Sequence, residues 1–212
     1  SFFLQALNAT KRAISTKNAI PVLSTIKIEV QNSNIKLTGS NGQISIENTI
    51  PTSNENAGLL ITSTGAVLLE ANFFINIVSS LPDVTLDFEE IEHHQIVLTS
   101  GKSEITLKGK DVHLYTHLQE MATENPLVLE TKLLKSIIAE TAFAASLQES
   151  RPILTGVHMV LSDHKDFKAV ATDSHRMSQR KLTLENTSND FNVVIPSKSL
   201  REFAAVFTDD IE

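Results

Sequence analysis

The sequence predicts an α+β protein built as a tandem repeat, in which each copy has two helices backed by antiparallel sheets. Three observations lead to this prediction. Apolar residues recur at helical spacing near the start of the chain, and later segments alternate apolar and polar residues between turns. The same order of elements then begins again after residue 126. Self-similarity over such a long period indicates two copies of one domain.

The first copy opens with a predicted helix, because Phe3, Leu7 and Ile14 share one stripe with Ala6 and Ala13. The segment Ile20-Pro21-Val22-Leu23 leads into the first strand. A second predicted helix has Phe74, Ile77, Val78 and Leu81 on one side and ends at Pro82-Asp83. Strands are predicted at residues 25–30, 35–39, 43–50, 84–88, 95–100 and 103–108, with a turn at Ser40-Asn41-Gly42, and residues 65–69 lead into the second helix.

Residues 111–126 lack periodicity and are predicted to form an exposed connector. The second copy then starts with a helix marked by Leu133, Leu134, Ile137, Ile138 and Thr141. Arg151-Pro152-Ile153-Leu154 repeats the earlier proline element, with an offset of 131 residues at Pro21 and Pro152 and 133 at Leu37 and Val170. Strands are predicted at 156–161 and 167–171, with a further strand after the next turn, and residues 193–196 lead into a helix whose core side carries Leu200, Phe203 and Phe207.

These patterns place a first domain at residues 1–122 and a second domain at 123–212. The first copy has three strands after its second helix, whereas the second copy has none. We therefore expect the second domain to be incomplete at its C-terminal end, as in a fragment of a longer protein.

The composition excludes several classes of protein. The chain has 18 Lys and Arg against 25 Asp and Glu, a net charge of −7, which excludes a uniformly basic nucleic-acid binder but not a local basic face. With no cysteine, disulfides and thiolate chemistry are excluded. No apolar run approaches the roughly 20 residues that span a bilayer. Together with the lack of a signal peptide, this predicts a cytoplasmic protein.

The most distinctive segment is the polar turn within residues 170–178, which presents His175 beside Arg176. It could serve catalysis, a nucleic-acid contact or the docking of a partner's peptide. Adjacent Asp173, Ser174 and His175 cannot form a hydrolase triad, because triads are assembled from distant parts of a chain. A hydrolase that pairs His175 with a distant acid remains the alternative, and a purely structural repeat protein is a third reading. The turn is predicted to correspond to Asn41-Gly42, with His175, Arg176 and Met177 in place of Gly42, Gln43 and Ile44.

Other candidate motifs are weak. Ser100-Gly101-Lys102-Ser103 resembles the end of a phosphate-binding loop, but Ile96 stands where the upstream glycine is required, so a hairpin turn is favoured. His113 and His117 have the spacing of helical metal ligands but lack the glutamate of the zinc-protease motif. We predict no metal and no cofactor.

Charge sign differs between element types. Acidic residues concentrate in strands and loops, which would suit helices that face phosphates while the sheet side stays acidic. Ordinary solvated helix faces are the alternative explanation. The basic residues of the helices and the loop after the first helix are Lys11, Arg12, Lys17, Lys132, Lys135, Lys198 and Arg201.

The motif Ala171-Thr172-Asp173-Ser174-His175-Arg176-Met177 resembles the beta subunits of bacterial DNA polymerase III, the sliding clamps. Ile20-Pro21-Val22-Leu23, Leu37-Thr38-Gly39-Ser40-Asn41-Gly42 and Ser79-Ser80-Leu81-Pro82 resemble the same family. The resemblance covers essentially the whole chain and is greatest to clamps of low-GC Gram-positive bacteria such as streptococci.

The resemblance implies the DNA-clamp fold, with three domains per subunit and two subunits joined head to tail in a ring around duplex DNA. This chain would then lack the first strand of the first domain and the entire third domain. It further implies a non-catalytic processivity factor that binds DNA without sequence preference. Its expected partners are the polymerase III alpha subunit, the clamp loader and repair proteins, which dock through a peptide pocket.

The resemblance also implies roles for individual residues. Lys17 and Gln148 match DNA-contacting positions, and Pro152 and Ile153 stand where some relatives carry two tyrosines that touch DNA. Ser174 and Met177 replace a glycine and a leucine found in some members, and the remaining pocket wall would come from the third domain. The expected pocket residues are Leu154, Thr172, Ser174, His175, Arg176 and Met177.

Overall fold

The computed structural model describes residues 2–15, 20–82, 85–115, 127–185 and 189–206. The chain divides into two compact units, a first unit of residues 1–119 and a second unit of residues 120–212. The predicted domain boundary between residues 122 and 123 lies outside the described residues. Within the described ranges, no helix is long and apolar enough to cross a membrane.

The first unit has two helices, a four-stranded sheet and a three-stranded sheet within its described residues. Its elements are α1 (Phe2–Lys11), β1 (Thr25–Val30), β2 (Asn34–Ser40), β3 (Ser45–Pro51), β4 (Gly65–Glu70), α2 (Ala71–Ser80), β5 (Asp87–Glu90), β6 (Gln95–Ser100) and β7 (Ser103–Lys108). The strand orders are β3-β2-β1-β4 and β5-β6-β7. All of these pairs are antiparallel.

The second unit repeats the helices and the four-stranded sheet. Its elements are α3 (Thr131–Thr141), β8 (Gly156–Ser162), β9 (Asp166–Thr172), β10 (Met177–Thr183), β11 (Phe191–Pro196) and α4 (Ser197–Val206). The antiparallel strand order β10-β9-β8-β11 matches β3-β2-β1-β4 of the first unit. The predicted α+β tandem repeat is therefore confirmed.

Phe74 lies at the centre of the first unit. Its ring is 1% exposed and makes edge-on contacts with Phe3 of α1 and Phe88 of β5, at centroid distances of 6.4 and 6.3 Å. The helix that carries it begins where the Glu70 carboxylate accepts N–H groups of Asn72 and Phe73. This carboxylate satisfies two amides that have no partner within the helix.

The core of the second unit lies between its helices and one face of its sheet. Ile137 and Ile138 of α3 and Leu200 of α4 pack against inward-facing residues such as Phe167. The predicted α3 stripe is confirmed. Phe203 was predicted on the core side of α4, but it is 41% exposed and Ala204 packs in its place. Ser197, Leu200 and Ala204 recur at helical spacing and so share the core side of α4. Phe207 lies outside the described residues.

The structure corrects the alignment of the two copies. Lys27 pairs with Thr38 in the first unit, and His158 pairs with Val170 in the second. Val170 therefore corresponds to Thr38, and Leu37 corresponds to Ala169 rather than to Val170 as predicted. The offset changes from 131 to 132 because the β8–β9 hairpin is one residue longer than the β1–β2 hairpin. Outside this hairpin, each residue between Lys27 and Thr38 of the first unit matches one residue of the second unit.

Three other predictions also change. The strand predicted at residues 84–88 is observed at Asp87–Glu90, where Phe88 pairs with Leu98. The third strand begins at Ser45, because the Asn41 side chain holds the amides of residues 43 and 44 in the turn. In the described part of the predicted exposed connector, His113 and Leu114 are exposed, but Tyr115 is only 8% exposed and packs on Leu68. Residues 116–126 lie outside the described part.

Candidate partner-binding site

A polar turn joins β9 to β10 and is closed by its own hydrogen bonds. The Asp173 N–H donates to the Arg176 carbonyl at 3.3 Å, and the Thr172 hydroxyl donates to the same carbonyl at 2.7 Å. Asp173 Oδ1 accepts the N–H groups of His175 and Arg176, both at 2.9 Å. Because the Thr172 and Asp173 side chains hydrogen-bond to the backbone of the turn, they fix its conformation and the positions of the side chains that it carries.

The first unit contains the same turn. The Asn41 N–H donates to the Ile44 carbonyl at 3.2 Å, and Asn41 Oδ1 accepts the N–H groups of Gln43 and Ile44 at 2.9 and 3.0 Å. Asn41 thus corresponds to Asp173, with an offset of 132. The predicted correspondence was shifted by one residue: His175, Arg176 and Met177 replace Gln43, Ile44 and Ser45.

The corrected alignment places Ser174 at the position of Gly42, and both residues have left-handed backbone angles, with φ of +78° and +86°. A residue with a Cβ is strained there, whereas glycine is not. We expect Ser174→Gly to raise the free energy of unfolding by roughly 0.5–1 kcal/mol, less than the full strain because glycine also gains freedom in the unfolded chain. Denaturant unfolding measures this change. Gly42→Ser, its mirror substitution, should destabilise, and equal stability of both variants and the parent would contradict the strain argument.

The adjacent Asp173, Ser174 and His175 do not form a catalytic relay. The backbone N–H groups of Arg176 and then His175 lower the pKa of Asp173, so its carboxylate is ionised. Its second oxygen lies 3.0 Å from Nε of Arg176. Both carboxylate oxygens are therefore committed to the turn and to the arginine. Among the described residues no distant carboxylate pairs with the His175 ring, so the alternative of a hydrolase that uses His175 with a distant acid finds no support.

Arg176 connects the turn to the end of α3. Its Nη2 donates to the Phe143 carbonyl at 2.9 Å, and its guanidinium carbon lies 5.8 Å from the centre of the Phe143 ring. Phe143 belongs to the short 3-10 turn Ala142–Ala144 that follows α3. Sequence reasoning missed Phe143, because a lone aromatic residue after a helix indicates no partner 33 residues away.

The predicted pocket residues lie at one end of the sheet. Thr172 ends β9 and pairs with Met177, which begins β10. Leu154 lies in the 3-10 turn Pro152–Thr155 just before β8, the other neighbour of β9, and its carbonyl accepts the Ser146 N–H at 2.8 Å. Met177 is 67% exposed, and Ser174 and His175 are also exposed. An apolar side chain is thus displayed to solvent at a rigid position.

The start of β10 is also held against α3 on the opposite face from Met177. The Ser178 hydroxyl donates to the Glu140 carbonyl at 2.5 Å, and Arg180 Nη1 lies 3.1 Å from Glu140 Oε2. The Ser136 hydroxyl donates to the other Glu140 oxygen at 2.6 Å. Sequence reasoning did not single out Glu140 or Arg180, because their pairing depends on the packing of α3 on the sheet.

The residues predicted to face DNA differ in their surroundings. Lys132, Gln148, Lys198 and Arg12 are exposed, whereas Lys11 and Lys135 are half-buried. Arg201 donates from Nη2 to the Ala142 carbonyl at 2.7 Å, so it joins α4 to the end of α3. Lys17 lies outside the described residues.

The four-stranded sheets give no support to the expectation of an acidic sheet face. In the first unit Lys27 pairs with Glu29 at 2.9 Å, and Lys36 pairs with Glu47 at 3.1 Å. In the second unit the face away from the helices carries Lys168 directly opposite Lys181. Within the described strands β8 to β11, Asp166 is the one carboxylate. Strand carboxylates of the first unit thus form ion pairs with lysines, and the strands of the second unit carry lysines with a single carboxylate.

No predicted or new metal cluster emerges from the described residues, which contain no group of three or more His, Cys, Asp or Glu side chains able to hold an ion. His117 lies outside them. The segment from Ser100 to Ser103 is the turn of the β6–β7 hairpin, where Gly101 has φ of +59°. This geometry confirms the hairpin prediction over the phosphate-loop reading.

Two tandem units, each with two helices packed on antiparallel sheets, are the architecture of the DNA-clamp fold. Residues 1–119 match the family described as DNA polymerase III beta subunit, N-terminal domain, and residues 128–212 match its central domain. The chain belongs to the DNA polymerase III beta subunit family.

Relatives at several distances support this assignment. The beta sliding clamp of Streptococcus pneumoniae is 75% identical over all of this chain and 56% of the relative's own length. The Lactococcus lactis clamp is 56% identical over 99% of the chain and 55% of its own length. The crystal structure of the Streptococcus pyogenes polymerase beta subunit has 78% identity and a TM-score of 0.94, over 99% of this chain and 55% of that one. The Bacillus subtilis sliding clamp also has a TM-score of 0.94, at 36% identity, over 100% of this chain and 56% of that one.

Proposed function

We propose that this chain supplies two domains of a bacterial sliding clamp, a ring of two head-to-tail subunits that surrounds duplex DNA and keeps the replicative polymerase on it. The chain spans about half the length of the curated relatives it matches, 56% in the case of Streptococcus pneumoniae. Ring closure, DNA binding and partner binding are therefore proposals about the longer protein. The observation that carries the proposal is the exposed Met177 on a hydrogen-bonded turn in a chain of this family.

The proposed mechanism is topological. A closed ring leaves DNA only by opening, so individual contacts with DNA can stay weak and the ring can slide. A polymerase docked on the ring is held at a high effective concentration near the primer end. In this mechanism the protein itself performs no chemical step, as expected for a processivity subunit of this family.

The proposed docking site accepts an extended peptide of a partner such as the polymerase alpha subunit or the clamp loader. Leu154 and Met177 supply apolar walls, and Thr172, Ser174 and His175 supply the polar rim. Methionine is flexible and polarisable, which suits a site that accepts many peptides. Arg176 is proposed to support the docking site by holding the turn in place, because its guanidinium contacts Asp173 and the Phe143 carbonyl.

The helices are proposed to face DNA. Lys132 on α3 and Lys198 on α4 are exposed and reach phosphates without reading bases, which is what sliding requires. Lys17 and Gln148 are assigned to the same face by resemblance alone. The lysines of the sheet face, Lys168 and Lys181, are assigned no role toward DNA.

The difference between the two faces gives a direct test. The double variant Lys132→Glu with Lys198→Glu should weaken binding of the chain to a short DNA duplex at low salt. It should also reduce the slope of log affinity against log salt by about 1 per lysine. Fluorescence anisotropy over a range of salt concentrations measures both quantities.

The matched control is Lys168→Glu with Lys181→Glu, which makes the same change in net charge on the sheet face. It should keep most of the salt slope. An equal loss of slope in both double variants would show that binding follows net charge rather than the helix face, and the assignment of DNA to the helices would be abandoned.

A further inference from the structure

The internal repeat gives the proposed docking groove of the second unit a counterpart in the first. The proline-containing 3-10 turns place Leu23 at the position of Leu154. The strand registers place Leu68 at the position of Val194, since Leu68 pairs with Lys27 and Val194 pairs with His158. The same registers and the shared turn match Thr38 with Val170, and Ser40 with Thr172.

All four positions are buried in the first unit and accessible in the second. Leu23 is 2% exposed and Leu68 is fully buried, whereas Leu154 is half-buried and Val194 is 41% exposed. Thr38 and Ser40 are likewise buried, while Val170 and Thr172 are half-buried. The first unit therefore has the same groove in a closed form.

The group that closes it is Tyr115, which forms a small apolar cluster with Leu23 and Leu68. The segment reaches this place by adding to the edge of β4: Leu68 and Lys110 exchange two backbone hydrogen bonds, of 3.1 and 2.9 Å. It runs so close to β4 that a Cβ on Gly109 would clash with the Val67 side chain and lie 3.3 Å from the Leu68 carbonyl oxygen. Asp111 then accepts the His113 N–H at 2.8 Å and starts the 3-10 turn that aims Tyr115 into the groove.

The chemistry of this contact is that of a neutral aromatic side chain. Burial raises the pKa of Tyr115 to about 12, and the nearby Ser40 backbone opposes this shift only in part. The hydroxyl makes no well-formed hydrogen bond, so the ring rather than the oxygen provides the contact. Lys110 forms backbone hydrogen bonds with the edge strand, and the Tyr115 ring fills an apolar site beside it. Extended peptides bind to sheet edges in the same way, with main-chain hydrogen bonds and side chains in pockets.

We propose that the first unit carries a masked copy of the docking groove, and that the Lys110–Tyr115 segment is its built-in ligand. The inference rests on the proposed function for the identity of the open groove. It adds that removing the Tyr115 ring exposes a second site, lined by Leu23, Leu68 and Ser40, for a neutral aromatic side chain. The sequence in the first unit thus prevents a partner from docking at the wrong copy.

The first test opens the masked groove. Tyr115→Ala should lower the unfolding temperature, and 4-methylphenol, the side chain that was removed, should restore part of the loss in a saturable manner. Leu114→Ala is the control, because Leu114 is 61% exposed and adjacent to the tyrosine. In the control and the parent chain only the open groove of the second unit is available, so 4-methylphenol should raise their unfolding temperature less than that of Tyr115→Ala. A folded Tyr115→Ala variant that responds no more than the parent chain overturns the proposal.

A second test uses the parent chain and so does not depend on the folding of the variant. A peptide with the sequence of Lys110–Tyr115 should shift the methyl resonances of Leu154 and Val194 in the second unit, and the same peptide with alanine for tyrosine should shift them at least tenfold less. No shift, or equal shifts with both peptides, overturns the equivalence of the grooves. These outcomes are separate from the test of partner docking, since the phenol response in the first unit requires no partner at Met177.

Discussion

Met177→Asp should remove most partner-peptide binding in a clamp of the relatives' full length that carries this sequence. The Met177 side chain is 67% exposed, so the substitution leaves the fold intact and changes only the displayed surface. Docking a peptide would transfer an ionised carboxylate from water into an apolar contact. That transfer costs about 3 kcal/mol, equivalent to roughly 100-fold in affinity. Isothermal titration with a peptide from the polymerase alpha subunit measures the change.

Gln179→Asp is the matched control, because it introduces the same charge on the same face of β10, two residues further along the strand. It should bind the peptide within a few-fold of the parent affinity. If Met177→Asp bound at the parent affinity, Met177 would lie outside the docking site. If both variants lost binding equally, long-range repulsion would explain the loss and the pocket would need another location.

Phe74→Ala destabilises the first unit by about 3–5 kcal/mol. The ring is 1% exposed and touches both Phe3 and Phe88, so its removal leaves a cavity that α1 and β5 cannot both fill. Denaturant unfolding followed by far-ultraviolet circular dichroism should show a lower midpoint for the transition of this unit.

Phe73→Ala provides the comparison on the adjacent residue of the same helix. Phe73 is 59% exposed, and its loss should change the free energy of unfolding by less than about 1 kcal/mol. Similar losses for the two variants would mean that the Phe74 ring is not the centre of the core.

The elements with strong periodicity were predictable. The strands at 95–100 and 103–108 have their predicted bounds, because alternation and a Gly-Lys turn leave one register for that hairpin. The stripe of α3 was likewise predictable, since Ile137, Ile138 and Thr141 recur at helical spacing and are all buried.

Offsets between the copies could not be predicted correctly, because a single extra residue in the β8–β9 hairpin has no signal in composition. The error shifted the alignment of the two turns by one residue, so Met177 was matched with Ile44 instead of Ser45. The hydrogen bonds of Asn41 and Asp173, together with the strand registers on either side, identify the two turns as equivalent. The left-handed φ of Ser174 likewise depends on the closed turn and not on serine itself.

The candidate site could be located from its motif, but its supports could not. Phe143 lies 33 residues before Arg176 and Glu140 lies 40 residues before Arg180, and these pairs meet only because α3 packs across the sheet. Tyr115 was placed in an exposed connector, since a short aperiodic segment looks the same whether it hangs in solvent or fills a groove.

By itself the sequence determined that this protein is an α+β tandem repeat without thiol chemistry, that it resembles a sliding clamp, and that residues 171–177 are its distinctive turn. Those properties depend on local periodicity and on short motifs, both of which involve residues close together in the sequence. The tertiary structure alone decided that the equivalent positions are buried in the first copy and accessible in the second. That difference depends on whether a distant segment, here Lys110–Tyr115, lies over the sheet edge, and such long-range packing leaves no mark in the local pattern.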